Sequence, residues 1–373
     1  MNIGINTRLL IDGKVEGIAR YIFEIASRMA AAHPEDTFYY FFDRKFDKKF
    51  ITSKNIIPVV VPPASRHPIL WNVWFQFQIP RYLKKYKIDV FYTGETYLPR
   101  KTDVPCAIVS HDLAYCHYPE QIPTAVLSYY KKHFPKNHHQ ADAIIAVSDF
   151  TRQDIHKQYG IDKEKVTVIH NASPSGFKKL SQSEKEAIQK EFTEGAKYFA
   201  YLGSFHPRKN IMGLIESFNV FKRQSGLPHK LVLMGRWAWK TEEIKEKLQN
   251  SPYSKDILVR QESREKIFRY VAAAEALLYV SFFEGFGIPI LEGFSAGVPV
   301  ITSNVSSMPE VAGDAAILVN PAAPKEIAQA MQDLAASEKM RRKKIEQGEE
   351  RLNNFSWEES AKKTYSVIQR LSH

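Results

Sequence analysis

Residues 284–292 form the part of the chain whose residue types and spacing carry the clearest chemistry. Glu284 and Glu292 flank the turn Gly285-Phe286-Gly287-Ile288-Pro289, which directly follows the apolar run 276–280. The run predicts a buried strand, the glycines a tight loop, and Pro289 the first position of a helix, where no N–H is needed. Such a loop directs free backbone N–H groups at an anion, and glycine lets a ligand approach closely. We therefore expect both carboxylates to face one bound molecule.

The two glutamates admit three interpretations. They could be the acid and base of a glycosidase, but such a pair needs one raised pKa, which nothing in the sequence indicates. They could bind a metal, yet the chain contains no Asp-x-Asp and their neighbours are Gly, Phe and Ile. They could instead accept hydrogen bonds from the hydroxyls of a sugar and a ribose, as an acidic residue does in dinucleotide sites. We favour the third interpretation.

Arg208 and Lys209 are adjacent cations in the loop 203–210, between the predicted strand 198–202 and a helix beginning near Ile211. A guanidinium, an ammonium and a helix N-terminus together can hold a diphosphate. The two residues are therefore candidates for stabilising a phosphate leaving group.

Two further loops of this kind lie in the first half of the chain. Ligands of open parallel sheets bind beyond the carboxyl ends of the strands. Gly17 lies in the loop 16–21 after the first predicted strand, and His111 follows the predicted strand 106–110. A lone histidine in this position is more often structural, and no histidine has metal-ligand spacing. With two such loops in each half, the sequence predicts a site in a cleft between two domains.

The elements that position these loops alternate between strands and helices, which indicates α/β construction with parallel sheets. Two sets of strands are separated by a predicted linker and helix in residues 171–190, so we place a domain boundary near residue 175. The domains are then 1–175 and 176–355. The predicted strands are 2–6, 38–42, 57–61, 89–92, 106–110, 143–147 and 166–169, then 198–202, 230–234, 257–259, 276–280, 299–302 and 316–319.

The end of the chain predicts a capped amphipathic helix from Ser356 to Leu371 with no strand after it. The pattern alone allows this helix, within residues 356–373, to pack on either domain.

Composition narrows the function classes. With 373 residues, 44% hydrophobic and 25% charged, the chain is typical of a folded protein of two domains. The first residues predict a strand instead of a signal peptide, and no apolar run is long enough for a membrane span. The two cysteines suit a reducing cytoplasm. The sequence lacks a Walker A motif, a Gly-x-Ser-x-Gly elbow and a nucleic-acid reading motif, which argues against P-loop ATPases, α/β-hydrolases and nucleic-acid binding.

The net charge of +11 favours an anionic partner. Part of it follows Trp71 and Trp74, in residues 81–87, and part accompanies Tyr129 and Tyr130, in residues 129–136. Basic residues interleaved with aromatics occur at membrane interfaces, but they also occur on solvated helices whose aromatics belong to the core. Both interpretations stay open.

Together these motifs resemble the retaining glycosyltransferases of family 4, whose GT-B fold consists of two Rossmann-like domains facing each other across a cleft. The most specific match is the family's E-x7-E motif, which falls on Glu284 and Glu292. Residues 303–316 are similar to the next loop of the family almost residue by residue. The resemblance covers nearly the whole chain and is strongest over 201–321.

The resemblance implies an acceptor-binding N-terminal domain, to which the C-terminal helix returns, and a nucleotide-sugar-binding C-terminal domain. It implies that Glu284 holds the transferred sugar and Glu292 the ribose. The loop of Gly17 commonly has two glycines, and here Glu16 replaces the first, which weakens its assignment to the phosphates. Implied catalytic residues are His111, Arg208, Lys209 and Glu284, and implied donor-binding residues are Gly17, Arg208, Lys209, Glu284, Gly285, Phe286, Gly287, Ile288 and Glu292.

The resemblance also implies a metal-independent reaction without a cofactor, in which the acceptor hydroxyl attacks from the leaving-group side. On this hypothesis Glu284→Ala abolishes transfer while barely disturbing folding. Among relatives, the chain looks closest to bacterial mannosyltransferase-like enzymes that build O-antigen or other surface polysaccharides. The expected donor is GDP-mannose, and the expected acceptor is a glycan, lipid-linked, in the cytoplasm at the inner face of an anionic membrane.

Alternatives remain at this point. The donor could be a UDP-sugar carrying glucose, galactose or N-acetylhexosamine. A sugar-nucleotide epimerase of the GT-B type shares the two domains but lacks the E-x7-E motif, and a non-catalytic binding protein would not need Glu284, Glu292, Arg208 and Lys209.

Overall fold

The chain divides into two compact units in a computed structural model, which describes residues 1–13, 15, 17–173, 176–238 and 241–372. Unit 1 comprises Met1–Asn171 and Ser356–His373, and unit 2 comprises Ala172–Phe355. The chain thus passes between the units at Asn171–Ala172, whereas residue 175, named as the boundary from sequence, lies outside the described residues.

Unit 1 is built on a parallel sheet of seven strands in the order β3-β2-β1-β4-β5-β6-β7. The order reverses between β1 and β4, and this reversal is where open α/β sheets bind ligands. The strands are β1 (Asn2–Asn6), β2 (Thr37–Phe42), β3 (Ile56–Val60), β4 (Val90–Thr93), β5 (Cys106–Ser110), β6 (Ala143–Ala146) and β7 (Val166–Val168). The helices between them are α1 (Ile18–Ala32), α2 (Pro68–Val73), α3 (Ile79–Lys85), α4 (Ala114–His117), α5 (Thr124–Gln140) and α6 (Asp149–Tyr159).

Unit 2 is built on a parallel sheet of six strands in the order β10-β9-β8-β11-β12-β13, with its reversal between β8 and β11. The strands are β8 (Tyr198–Leu202), β9 (Lys230–Met234), β10 (Ile257–Arg260), β11 (Ala276–Tyr279), β12 (Val300–Ser303) and β13 (Ile317–Val319). The helices are α7 (Gln182–Thr193), α8 (Ile211–Ser225), α9 (Glu242–Gln249), α10 (Arg264–Ala272), α11 (Ile288–Ser295), α12 (Met308–Ala312), α13 (Pro324–Ala336) and α14 (Glu338–Leu352).

The last helix, α15 (Trp357–Leu371), belongs to unit 1. The side chain of Ser356 caps its first turn by accepting a hydrogen bond from the Glu359 N–H. It packs along α1, with the Trp357 ring edge-on to Tyr21, and the Tyr365 hydroxyl donates to Asp36 of the α1–β2 connection. The apolar face of this amphipathic helix is therefore buried in unit 1, where it packs on the first sheet and on α1.

The predicted fold class is confirmed, since both sheets are parallel and doubly wound. Every predicted strand occurs, with ends within one residue of the prediction. This agreement arises because parallel strands are buried on both faces and read as continuous apolar runs; Leu277 and Leu278 of β11, for example, are fully buried. Among the described residues, no helix combines the length and apolarity needed to cross a membrane.

Candidate active site

The central feature of unit 2 is a cluster of opposite charges at the carboxyl ends of β8 and β11. These strands are neighbours at the point where the strand order reverses. Arg208 and Lys209 lie in the loop between β8 and α8, and Glu284 lies in the loop between β11 and α11. Because both loops leave the sheet at the same edge, residues 75 positions apart in sequence meet.

The Lys209 ammonium lies 2.6 Å from Glu284 Oε1, and Arg208 Nη1 lies 3.3 Å from Oε2. The ammonium also donates to the Tyr279 hydroxyl at 2.9 Å, from the last residue of β11. The Glu284 side chain is only 8% exposed, and both cations are largely buried. The cluster is therefore a semi-enclosed arrangement in which one carboxylate bridges two cations.

The electrostatics of this cluster keep Glu284 ionised. Burial alone would raise its pKa, but the charges of Lys209 and Arg208, together with the hydrogen bond from Lys209, lower the pKa to about 2. A carboxyl group with this pKa holds no proton near neutral pH, so it cannot act as a general acid. An ionised Glu284 does not fit the role of the acid in a glycosidase pair.

The backbone around Glu284 is held by the neighbouring loop after β12. The Glu284 N–H donates to Ser306 Oγ at 3.1 Å, and the Ser307 hydroxyl contacts the carbonyl oxygens of Glu284 and Phe286, each at 2.9 Å. The side-chain amide of Asn210 donates to the carbonyls of Val280 and Pro321. These bonds tie the Arg208–Lys209 loop and the Glu284 loop to one framework.

The turn between the glutamates has the conformation that its glycines allow. Gly287 has φ 104°, a left-handed conformation in which a side chain is strained, and it immediately precedes α11. Phe286 is buried and packs edge-on against Phe355. Gly285 completes this turn and Ile288 is the first residue of α11, so both predicted donor-binding residues lie beside Glu284.

Glu292 is a buried residue of α11. Because this helix begins at Ile288, Pro289 occupies its second position instead of the predicted first one. Glu292 is thus the fifth helical residue and lies one turn beyond the loop that carries Glu284. Gly297, with φ 65°, follows the helix end, as is common for a glycine just beyond a helix.

In unit 1, Gly17 and His111 follow the strand ends as predicted. Gly17, with φ 52°, directly precedes α1, whereas Glu16 lies outside the described residues. The His111 Nε2–H donates to the Gly94 carbonyl at 2.8 Å, because a carbonyl can only accept. This assigns the neutral ring an acceptor at Nδ1. Burial, opposed by this bond, lowers the His111 pKa, so the ring is neutral near pH 7.

An ion pair that the sequence analysis did not single out lies beside His111. Arg8 follows β1 and Glu95 follows β4, and they form two hydrogen bonds of 2.6 Å each, while the Asn6 amide donates to Glu95 at 2.6 Å. Both charged residues are buried, and the guanidinium stacks 4.7 Å from the Tyr97 ring centroid. Their positions two and three residues after predicted strands were the signal available in the sequence.

The position of Glu95 links this pair to His111. Glu95 directly follows Gly94, whose carbonyl holds the imidazole. A Cβ on Gly94 would lie 2.4 Å from Ile22 of α1, so this backbone sits close against the helix. The Arg8–Glu95 pair therefore anchors the loop that orients His111.

The described residues offer one trio of side chains with spacing suitable for a metal, namely His33, Glu35 and Asp36. Asp36 already accepts hydrogen bonds from the Met1 amino group and the Tyr365 hydroxyl. These contacts explain the trio as part of the packing between the chain start and α15.

Comparison with known proteins adds to this geometry. Residues 182–351 match the family model described as Glycosyl transferases group 1, and residues 15–173 match the model described as Glycosyltransferase Family 4. The chain is 28% identical to O-antigen chain mannosyltransferase B of Escherichia coli, over 95% of this chain and 96% of that protein. It is 27% identical to O-antigen chain mannosyltransferase RfbU of Salmonella typhimurium, over 73% and 72%.

Among solved structures, sucrose-phosphate synthase of Thermosynechococcus elongatus is similar with a TM-score of 0.79 at 17% identity, covering 99% of this chain and 98% of that one. At this identity the likeness concerns the fold, and it is the GT-B fold.

Proposed function

We propose that this chain, in which residues 15–173 and 182–351 match glycosyltransferase family models, moves a hexose, in the first instance mannose from GDP-mannose, onto a glycan acceptor. The observation that carries this proposal is the Glu284 carboxylate bridging Lys209 and Arg208 at the reversal point of the second sheet. Two cations at such a site suit a diphosphate, and a buried carboxylate that is ionised near neutral pH suits sugar hydroxyls.

Binding of the donor would exchange partners within this cluster. In the structure, Glu284 neutralises both cations. The donor's diphosphate would take over Lys209 and Arg208, and the released carboxylate would accept hydrogen bonds from the sugar. Glu292, one turn along α11, would accept from the ribose. The same cations would then offset the negative charge that grows on the diphosphate as it leaves.

The reaction proceeds with retention and without a metal in this proposal. The bond from the anomeric carbon to the diphosphate oxygen breaks, a bond to the acceptor oxygen forms on the same face, and the hydroxyl proton passes to the diphosphate. In this scheme Glu284 accepts hydrogen bonds from the sugar hydroxyls and is not the nucleophile. Arg208 and Lys209 would take the place of a divalent cation, and His111 and Gly17 keep the roles that the family resemblance implies.

The mannosyl and polysaccharide part of the proposal is supported by the two relatives named O-antigen chain mannosyltransferases. The acceptor is then a glycan on a lipid carrier, and the enzyme works in the cytoplasm as a peripheral protein at the inner face of the membrane. A UDP-sugar is the second candidate donor.

A thermal-shift screen against GDP-, UDP-, ADP- and dTDP-sugars tests the donor. A ligand at about 100 times its Kd adds about 2.7 kcal/mol of stability. We expect the largest shift with GDP-mannose and its loss in Lys209→Gln, whereas the control Lys230→Gln, whose partner Glu194 lies on the surface, keeps it. A larger thermal shift with a UDP-sugar would identify that sugar nucleotide as the donor instead of GDP-mannose. Formation of a new sugar nucleotide in the absence of an acceptor would indicate an epimerase instead of a transferase.

A further inference from the structure

The excess positive charge of the chain is concentrated in three segments of unit 1. Residues 64–88, 96–102 and 121–141 contain ten lysines and arginines and no aspartate or glutamate, against a net charge of +11 for the whole chain. The acidic residues that directly flank these segments in sequence are Asp89, Glu95, Asp103, Glu120 and Asp142. Charge balance elsewhere in the chain is therefore almost even.

The fold brings the three segments together on one surface. α2 packs against α5, and the Trp71 ring lies 5.3 Å from Tyr129. The Arg100 guanidinium donates to His133 Nδ1 at 3.1 Å, which joins residues 96–102 to α5. Lys101 Nζ lies 4.2 Å from the Phe77 ring centroid, which joins them to the helical segment 68–85. We call this surface the basic face.

The positive charges of the basic face act on His133, which lies within it. Burial and the charges of Arg100, Lys132 and Lys136 lower the pKa of His133 to about 4. Three cations close enough to resist protonation of one imidazole form a concentrated field, which attracts anions.

The basic face also exposes two large apolar side chains, Ile69 at 68% and Phe77 at 44%. Residues 74–78, between α2 and α3, form a π-helical turn, which accommodates an extra residue. Eight residues then cover about two turns, which places Ile69 and Phe77 on the same side of the segment. Arg81, Lys84 and Lys85 continue the exposed face at helical spacing.

The aromatic residues that suggested a membrane interface from sequence are not the exposed ones. Trp74 is fully buried and donates to the Val61 carbonyl, and Tyr129 belongs to the core of unit 1. Trp71 and Tyr130 pack against the same core. The structure therefore replaces them with Ile69 and Phe77 as the apolar contacts of the face.

We propose that the basic face, formed by residues 64–88, 96–102 and 121–141, docks on an anionic lipid bilayer, with Ile69 and Phe77 entering the interface and the lysines contacting headgroups. Charge complementarity argues for an anionic surface, and two exposed apolar side chains within the charged field argue for lipid over nucleic acid. A shallow depression lined by Thr124, Leu127, Ser128, Lys131 and Lys132 offers room for a headgroup. This inference extends the proposed function, because a lipid-linked acceptor would be met at this surface.

Co-sedimentation of the full chain with vesicles tests the proposal. We expect binding to phosphatidylcholine mixed with phosphatidylglycerol, weakening with salt, and none to phosphatidylcholine alone. The triple variant Lys131→Gln, Lys132→Gln, Lys136→Gln should bind roughly 100-fold more weakly, because each lysine near an anionic surface contributes about fivefold. The control Lys339→Gln, Arg342→Gln, Lys343→Gln on α14 removes the same charge and should bind like the parent chain.

The apolar contribution is tested separately. Ile69→Ser with Phe77→Ser should weaken binding roughly tenfold, because the exposed parts of both side chains would leave water on docking. The control Leu227→Ser with Leu318→Ser changes two exposed leucines of unit 2 and should have no effect. Thermal unfolding of each variant establishes that it is folded.

Three results would overturn the proposal. If the triple variant of α14 weakened vesicle binding equally, the effect would be one of general charge. Equal binding to uncharged vesicles would remove the role of the lysines. If inorganic polyphosphate fully displaced the protein from vesicles and Ile69→Ser with Phe77→Ser had no effect, the partner would be a soluble polyanion. The measurement needs no sugar transfer, so a failure of the transferase proposal leaves it intact. Conversely, if the protein did not bind vesicles but transferred sugar to an acceptor dispersed in detergent, only the membrane proposal would fail.

Discussion

Replacing Glu284 by glutamine removes one charge from the cluster with Lys209 and Arg208 while keeping the size of the side chain. The structure alters the expectation drawn from the sequence, which held that loss of this carboxylate barely disturbs folding. Glu284 is buried and neutralises two largely buried cations, and removing one partner of a buried ion pair leaves the other charges uncompensated. Glu284→Gln should therefore be clearly destabilised.

The magnitude follows from the pKa of Glu284. Its fall from 4.5 to about 2 corresponds to about 3 kcal/mol of stability at neutral pH, at about 1.4 kcal/mol per unit. Because the folded pKa lies below the unfolded one, this contribution is complete above pH 4.5 and is lost as the pH falls toward 2. At pH 3.5 it has decreased by about 1 kcal/mol. The variant and the parent chain should therefore differ by about 3 kcal/mol at pH 7 and about 2 kcal/mol at pH 3.5.

Urea unfolding at the two pH values measures these differences. A chain of two units can unfold in two steps, so the comparison should use the transition that shifts when a nucleotide is added. Glu275→Gln is the matched control, since Glu275 is another buried glutamate of unit 2 paired with Lys197 and Arg341, but it precedes β11 at the opposite end of the strand.

Nucleotide binding separates the role of Glu284 from its effect on stability. In Glu284→Gln, Lys209 and Arg208 lose a competing anion, so GDP should bind at least as tightly as to the parent chain while sugar transfer falls about 100-fold or more. Glu275→Gln should change neither. GDP affinity that falls in parallel with transfer would refute the assignment of the carboxylate to the sugar, and an unfolding difference that does not decrease at low pH would refute the charge argument.

Three further predictions concern the proposed reaction. Glu95→Gln should lower kcat without changing GDP binding, because it loosens the loop that orients His111. Glu95→Asp should restore part of the rate. An equal loss of GDP affinity in titration calorimetry would show a general structural effect instead. The lowered pKa of His111 keeps its ring neutral above pH 6.5, so the ratio of parent to His111→Asn transfer rates should stay constant between pH 6.5 and pH 8. The stability that the neutral ring contributes should decrease below pH 6.5. A rate ratio that changes between pH 6.5 and pH 8 would contradict the assignment. Transfer should proceed unchanged in a chelator, and activity lost there and regained with a divalent cation would overturn the role given to Arg208 and Lys209.

Much of the fold could be predicted because its signals are local. The apolar runs of the strands, Gly17 before α1 and Gly297 after α11 each follow from the neighbouring residues. The loops with functional residues could be predicted for the same reason, since ligands of parallel sheets gather at the carboxyl ends of the strands. Arg208, Lys209 and Glu284 were identified in this way, and the structure brings the three together.

Other features depended on contacts between distant segments. Arg8 and Glu95 also follow strand ends, but neither has a distinctive neighbourhood in sequence, and their pairing depends on β1 and β4 being adjacent. The strand order of a doubly wound sheet, not the strand pattern, makes them neighbours.

The sequence by itself determined the two parallel sheets, the glycine turn of residues 285–289 and the residue types at the strand ends, because each depends on periodicity or on the conformation of single residues. Only the tertiary structure decided that Glu284 neutralises Lys209 and Arg208, that its pKa falls to about 2, and that Ile69 and Phe77, not Trp71 and Trp74, are exposed beside the lysines of α5. Charge pairing, desolvation and exposure depend on contacts between residues that are distant in sequence, and the packing of the sheets and helices determines those contacts.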